Sequence, residues 1–163
     1  MRIIGIDPGT ATTGYSILDH ENGKFHLKDY GCIKTQAGLP QNIRLQQIAT
    51  DLSTLIEKWH PQTASIEKLF FQKNVKTAMS VSEARGVILH TLTNFGLQIN
   101  EFTPLEIKSA VCGYGKADKK MVQQMVKIIL SLKTTPKPDD AADAIAAAIC
   151  LANSLALKQA TFA

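Results

Sequence analysis

The sequence is poor in the features that mark several classes of protein. Cysteine occurs at only three of 163 positions, with neither metal-ligand nor disulfide-framework spacing, so we expect Cys32, Cys112 and Cys150 to be reduced thiols. We find no apolar run of bilayer-spanning length and no signal peptide before the first strand-like segment, which predicts a cytoplasmic protein without a membrane partner. Internal repeats and low-complexity segments are also absent. These absences exclude disulfide scaffolds, repeat arrays and disordered chains.

The remaining composition is that of a globular domain. Hydrophobic residues make up 45% and charged residues 20% of the chain, which is enough to build one real core. We expect a single domain over residues 1–157, followed by a short tail at 158–163. The formal net charge of +4 and the pI near 9.0 suit a polyanionic partner, although many proteins with this pI never bind nucleic acid.

Hydrophobic periodicity predicts an α/β fold. The predicted strands cover residues 2–7, 13–18, 25–35, 63–68 and 97–102, and the predicted helices cover 41–58, 76–94, a segment starting at 103, 119–132 and 139–157. This order predicts a five-stranded mixed sheet, three antiparallel strands then parallel ones, flanked by helices. We expect the first three strands to hold its centre, with the ends of strands one and four side by side.

Four acidic residues stand at positions that suit a hard divalent cation. Asp7 and Glu67 each end an apolar strand-like run, while Asp140 and Asp143 lie three residues apart at the start of the last helix and so share a face. Clustered carboxylates are costly in a core unless cations neutralise them, and their oxygens are the ligands that Mg²⁺ or Mn²⁺ prefers.

Each acid also has an ordinary structural interpretation. Asp7 before Pro8 fits a turn-forming aspartate, and Glu67 fits a surface strand end. Asp139 or Asp140 fits the N-cap of the last helix, and of the two we prefer Asp139. All four coincidences together are much less plausible than a shared site.

Motifs along most of the chain resemble the RuvC family of bacterial Holliday-junction resolvases. They are Ile4-Gly5-Ile6-Asp7-Pro8-Gly9 with Thr13-Gly14-Tyr15, Ile66-Glu67 followed by Phe70, Glu83-Ala84-Arg85-Gly86, Thr103-Pro104 to Lys108, and Asp140-Ala141-Ala142-Asp143-Ala144. The resemblance implies a ribonuclease-H-like fold and a homodimer that nicks four-way DNA junctions symmetrically. It also implies a junction-binding protein and a branch-migration ATPase as partners. Some members carry His at the first C-terminal acidic position, where this chain has Asp140.

The expected chemistry is two-metal phosphodiester hydrolysis with two Mg²⁺ per site, for which Mn²⁺ would substitute. We expect Asp7 to bridge both ions, Glu67 to bind on one side, and Asp140 and Asp143 on the other. The products would carry 5′-phosphate and 3′-hydroxyl ends.

Basic and aromatic residues complete the predicted site. The resemblance assigns Lys108 and Lys119 to phosphate contacts near the cut, although solvated lysines are the common alternative and Lys120 lies one place away. Phe70 is the candidate for base stacking at the opened junction, unless it folds onto the core or a dimer interface. Further candidate DNA contacts are Lys73, Lys76, Arg85, Lys116 and Lys120.

Three other functions fit parts of the pattern. A nuclease of the same fold that cuts RNA would use the same four acids. An actin-like ATP-binding fragment also opens with Ile-Gly-Ile-Asp, but it needs a second domain that 163 residues do not supply. A non-catalytic junction-binding protein would have no reason to keep four mutually repelling carboxylates.

Overall fold

The computed structural model describes residues 1–69 and 75–161, without the side chains of 75, 76 and 158–161. Its strands are β1 Arg2–Asp7, β2 Thr12–Glu21, β3 Lys24–Lys34, β4 Thr63–Glu67 and β5 Gln98–Phe102. Its helices are α1 Gln41–Trp59, α2 Val75–Asn94, α3 Pro104–Cys112, α4 Lys119–Ile129 and α5 Asp139–Thr161. The predicted elements are all present, and the last helix extends past its predicted end at residue 157.

The five strands form one mixed sheet in the order β3-β2-β1-β4-β5. β1, β2 and β3 pair antiparallel, whereas β4 is parallel to both β1 and β5. This confirms the predicted fold class. The expectation that the first three strands hold the centre is wrong, because β3 lies at one edge. Since β2 occupies one side of β1, the crossover through α1 adds β4 to the other side and leaves β1 in the middle.

Strand alternation divides the core into two layers. Ile3 of β1 lies in a cluster with the buried residues of α5, whereas Ile4 and Ile6 face the opposite cluster, to which α1 and α2 contribute. Both faces of β1 are therefore covered, which explains its continuous apolar run.

Small residues on the sheet allow α5 to cross it at very short range. A Cβ added to Gly5 would lie 2.1 Å from the Ala144 carbonyl oxygen, and one added to Gly14 would lie 2.0 Å from the Asp140 carbonyl oxygen. The buried Ser16 hydroxyl donates to the same Ala144 oxygen at 3.0 Å. The sheet thus fixes both the height and the rotation of the first turns of α5.

Side-chain caps begin two of the helices. Thr103 caps α3 in a capping box with Glu106, and Asp118 caps α4 by accepting from the Met121 amide at 2.8 Å. The prediction that Asp139 is the N-cap of α5 is wrong. α5 already begins at Asp139, the Pro138 carbonyl accepts the first helical amide bonds, and the Asp139 side chain turns to α4.

The expectation that no apolar run reaches bilayer-spanning length is wrong for one helix. Among the described residues, Asp139–Leu157 alone is long and apolar enough to cross a membrane by length and composition, with a mean hydropathy of 1.4. Its alanines, isoleucines and leucines together produce that value, and 61% of the segment is buried in the fold. It contacts β1, β2 and β4, as the core helix of a packed domain does.

Candidate active site

Asp7 and Glu67 meet because their strands are parallel and in register. Ile6 of β1 lies opposite Ile66 of β4, so the next residue of each strand is an acid at the same edge of the sheet. The alternation that turns Ile3 and Gly5 toward α5 turns Asp7 the same way. On β4, the Ser65 hydroxyl donates to the Ala147 carbonyl oxygen of α5 at 2.6 Å, so Glu67 two residues later also faces α5.

α5 adds the other two acids. Its first turn lies over Gly14 of β2, where the Asp140 backbone is in close contact with the strand. Asp143 follows one turn later beside Glu67, and both line one cleft. The charges of Glu67, Asp143 and Asp140 all act on Asp7. The fold therefore brings together the four carboxylates that the sequence separates by more than a hundred residues.

The acids destabilise one another's charged forms. Burial, followed by the negative charges of Glu67, Asp143 and Asp140, raises the pKa of Asp7 to about 8. Burial and the charge of Asp143 raise the pKa of Glu67 to about 6, against the opposing effect of nearby lysines. Burial also raises the pKa of Asp143, although Lys119 opposes the shift. At neutral pH the site therefore favours bound protons or cations.

Two lysines border these acids. A cleft of about 260 Å³ is lined by Glu67, Asp143, Lys108 and Lys119, together with the apolar parts of Pro104, Ile107, Val122 and Ala146. The Lys119 Nζ lies 3.0 Å from Asp143 Oδ2. Burial lowers the pKa of Lys119, but the hydrogen bond to Asp143 and the neighbouring carboxylates outweigh it and raise the pKa overall. Lys119 is therefore a charged ammonium inside an acidic site.

The other predicted DNA contacts lie elsewhere. Lys116 and Lys120 are exposed beside α4, on the same side of the sheet as the cleft. Arg85 is partly buried on α2 and pairs with Glu101 of β5, so its guanidinium is engaged within the fold. Two more predicted contacts, Phe70 and Lys73, lie outside the described residues, as does the side chain of Lys76.

The donor set fits a hard divalent cation by its chemistry. All four acids offer carboxylate oxygens, and the raised pKa values of Asp7 and Glu67 show that positive charge would stabilise their ionised forms. Within residues 1–69 and 75–161, however, no three acidic, histidine or cysteine side chains stand close enough to hold one ion. One oxygen of Asp143 is in contact with the Lys119 ammonium instead, which would compete with a cation for that carboxylate.

Sequence reasoning missed the residues that arrange this site. Asp139, expected to be only a cap, accepts from Gln123 Nε2 at 2.9 Å and lies 3.6 Å from the Lys119 Nζ. Gly5 and Gly14 belong to the motifs noted in the sequence, but the motifs do not predict that these glycines let α5 pack closely on the sheet. Two strand glycines and an alanine-rich helix are a signal for such close packing.

Comparison with known proteins identifies relatives over nearly the whole chain. The family model for crossover junction endodeoxyribonuclease RuvC matches residues 3–151. The crossover junction endodeoxyribonuclease RuvC of Chloroflexus aurantiacus is 51% identical over 150 residues, which cover 92% of each chain. The Thermus thermophilus RuvC structure has a TM-score of 0.90 at 29% identity and covers 97% of both chains. The T. thermophilus RuvC in complex with Holliday junction substrate has a TM-score of 0.91 at 29% identity, covering 97% of this chain and 96% of that one.

Proposed function

The chain belongs to the RuvC family of crossover junction endodeoxyribonucleases, and from that premise we propose that it resolves four-way DNA junctions by paired symmetrical nicks in recombination and repair. The observation that carries the proposal is the convergence of Asp7, Glu67 and the two acids of α5 beside a lysine-lined cleft. Mapping the cut on each strand tests it. Symmetrical nicks that DNA ligase reseals support the proposal, and staggered or non-ligatable ends contradict it.

The chain's own residues supply binding and charge to the reaction. Asp7, at the end of β1 and turned toward α5, would hold the cations together with Glu67, Asp140 and Asp143. Two Mg²⁺ ions, or Mn²⁺ in their place, would supply an activated water and neutralise the leaving 3′-oxygen. The apolar wall of the cleft limits water around the acids, which strengthens every charge interaction there.

Lys108 provides a direct test of the cleft. It lies on α3 and lowers the pKa of Glu67, so its ammonium acts on the acids without an ion pair of its own to them among the described contacts. We expect Lys108→Ala to slow cleavage by about 100-fold, as loss of one transition-state charge contact does, with little change in junction affinity. Single-turnover cleavage and binding by gel shift measure this. Lys24, an exposed lysine at the start of β3, offers a control, and an equal loss in Lys24→Ala would contradict the assignment.

Phe70 remains the candidate for stacking on an unpaired base. The segment that carries it joins β4 to α2, directly after Glu67, so it starts at the rim of the site. We expect Phe70→Ala to slow junction cleavage about tenfold or more, because stacking on an aromatic ring contributes ~1–3 kcal/mol per base. The melting temperature should stay within a degree or two of wild type. A large drop in melting temperature would instead make Phe70 a core residue.

The assembly is part of the proposal. Two symmetrical cuts need two sites, so we expect a homodimer, which sedimentation equilibrium of the purified protein tests. A junction-binding protein and a branch-migration ATPase are the expected partners in the cytoplasm. The basic net charge of +4 supports a DNA substrate, and a steep fall of junction affinity with salt would accompany it.

A further inference from the structure

Lys119 contacts two carboxylates that lie one turn apart near the start of α5. Its Nζ is 3.0 Å from Asp143 Oδ2 and 3.6 Å from Asp139 Oδ2. The second oxygen of Asp139 accepts from Gln123 Nε2 at 2.9 Å, one turn along α4. Asp139 therefore contacts two side chains of α4, and it holds one oxygen toward the lysine without belonging to the four-acid cluster.

The closer contact conflicts with metal binding. The Lys119 ammonium lies 3.0 Å from Asp143 Oδ2, one of the two oxygens that Asp143 would offer a divalent cation, and two cations this close repel strongly in a partly buried site. A cation bound by Asp143 would therefore compete with the Lys119 ammonium for this carboxylate.

Asp139 offers the lysine a second anion close at hand. Both carboxylates lie within 4.0 Å of the same Nζ, at 3.6 Å and 3.0 Å, so a small rotation of the flexible lysine stem would exchange one partner for the other. Because Gln123 holds the other oxygen of Asp139, the carboxylate stays in place to receive it. We infer that Asp139 is a positioning residue: it pairs with the Lys119 ammonium when Asp143 binds a divalent cation. This inference rests on the proposed metal site.

An ordinary surface ion pair makes a different prediction. The Asp139 side chain is 61% exposed, and exposed pairs typically contribute little to stability. A pair with no role in metal binding would leave metal affinity unchanged when broken. Removal of one negative charge near the site would weaken metal binding by the same factor whether or not Lys119 is present. Dependence on Lys119 is thus the distinguishing property.

The test is a double-mutant cycle on Mn²⁺ binding by the full chain without DNA. Titration calorimetry measures the Mn²⁺ affinity of each variant. We expect Asp139→Asn to weaken Mn²⁺ binding about three- to tenfold and Lys119→Met to tighten it. In the double variant, Mn²⁺ should bind within about twofold of Lys119→Met, because no ammonium is left to be moved. Asp139→Glu should restore wild-type binding, and Glu57→Gln on α1 controls for the loss of one distant negative charge.

Each result separates the inference from the proposed function. If the wild-type chain binds no Mn²⁺, the metal site itself fails, and the inference with it. If the wild type binds Mn²⁺ but Asp139→Asn binds it equally well, only the inference is overturned. The same holds if Asp139→Asn loses the same factor with and without Lys119, because a plain charge effect then explains it.

Discussion

We expect the Asp7→Asn variant to bind four-way junctions at least as well as wild type and to cut them at least about 100-fold more slowly. Loss of an outer-shell partner of a metal site already costs 10–100-fold, and Asp7 is the acid on which the charges of the other three converge. Asparagine keeps the shape of the side chain but removes the charge that would bridge two cations. Gel-shift affinity and single-turnover cleavage in Mg²⁺ measure the two quantities. A cleavage rate within a few-fold of wild type would contradict the assignment of Asp7 to the active site.

At alkaline pH and without metal, we expect Asp7→Asn to be more stable than the wild type. The folded-state pKa of Asp7 is raised from 3.8 to about 8, so ionisation of its carboxyl opposes folding. The unfolded chain binds fewer protons than the folded one between about pH 4 and pH 8, and stability therefore falls as pH rises through this window. At about 1.4 kcal/mol per pKa unit, the loss by pH 8 is of the order of a few kcal/mol.

Melting in EDTA at pH 5 and pH 8 tests this linkage. The wild type should lose stability between the two pH values, and Asp7→Asn should lose distinctly less. Glu67, whose pKa is raised to about 6, leaves a smaller slope of the same sign in the variant. Glu57→Gln, an exposed residue of α1, should keep the full wild-type slope. An identical slope in Asp7→Asn and wild type would contradict the burial of an ionised Asp7.

We expect Gly14→Ala to damage both the fold and the site. Its Cβ would lie 2.0 Å from the Asp140 carbonyl oxygen, and β2 is held on both edges by β1 and β3, so the strand has no room to retreat. The first turn of α5 must therefore move, and it carries Asp140 with it. Overpacking of a core typically costs 1–3 kcal/mol and occasionally more. Cleavage should fall with it, even at temperatures where the variant is fully folded.

Urea unfolding and cleavage at a permissive temperature measure the two effects. Gly86→Ala is the matched control for stability, because a Cβ there meets nothing within 4 Å and alanine favours a helix interior by up to about 1 kcal/mol over glycine. Equal stability and activity in Gly14→Ala and Gly86→Ala would show that α5 does not rest on β2 as described.

Local sequence signals predicted most of the fold, because the pattern of each element agrees with its final environment. The continuous apolar run of β1 predicts a buried strand, and both of its faces are covered. Thr103 and Glu106 have the spacing of a capping box, which predicts the start of α3. The place of β3 at the sheet edge could not be predicted in the same way. Strand order depends on whether the crossover adds β4 beside β1 or beside β3, and no local pattern in β3 encodes that choice.

The four acids could be predicted because strand ends and helix spacing are local properties. The roles of their neighbours could not. Lys119 and Lys120 are adjacent exposed lysines at the start of α4, and only the packing of α4 on α5 decides that Lys119 is the one that contacts Asp143. Asp139 fits a helix cap in sequence, and its contact with Gln123 joins segments on either side of a linker.

The central claim is tested most directly by one cleavage assay. The purified protein is given a synthetic four-way DNA junction, a linear duplex of matched sequence and an RNA/DNA hybrid, each with Mg²⁺ or with EDTA. We predict paired, symmetrical nicks in the junction alone and only with Mg²⁺. Cutting of the hybrid in preference to the junction would contradict the proposed substrate, and binding without cutting in any divalent metal would contradict the proposed active site.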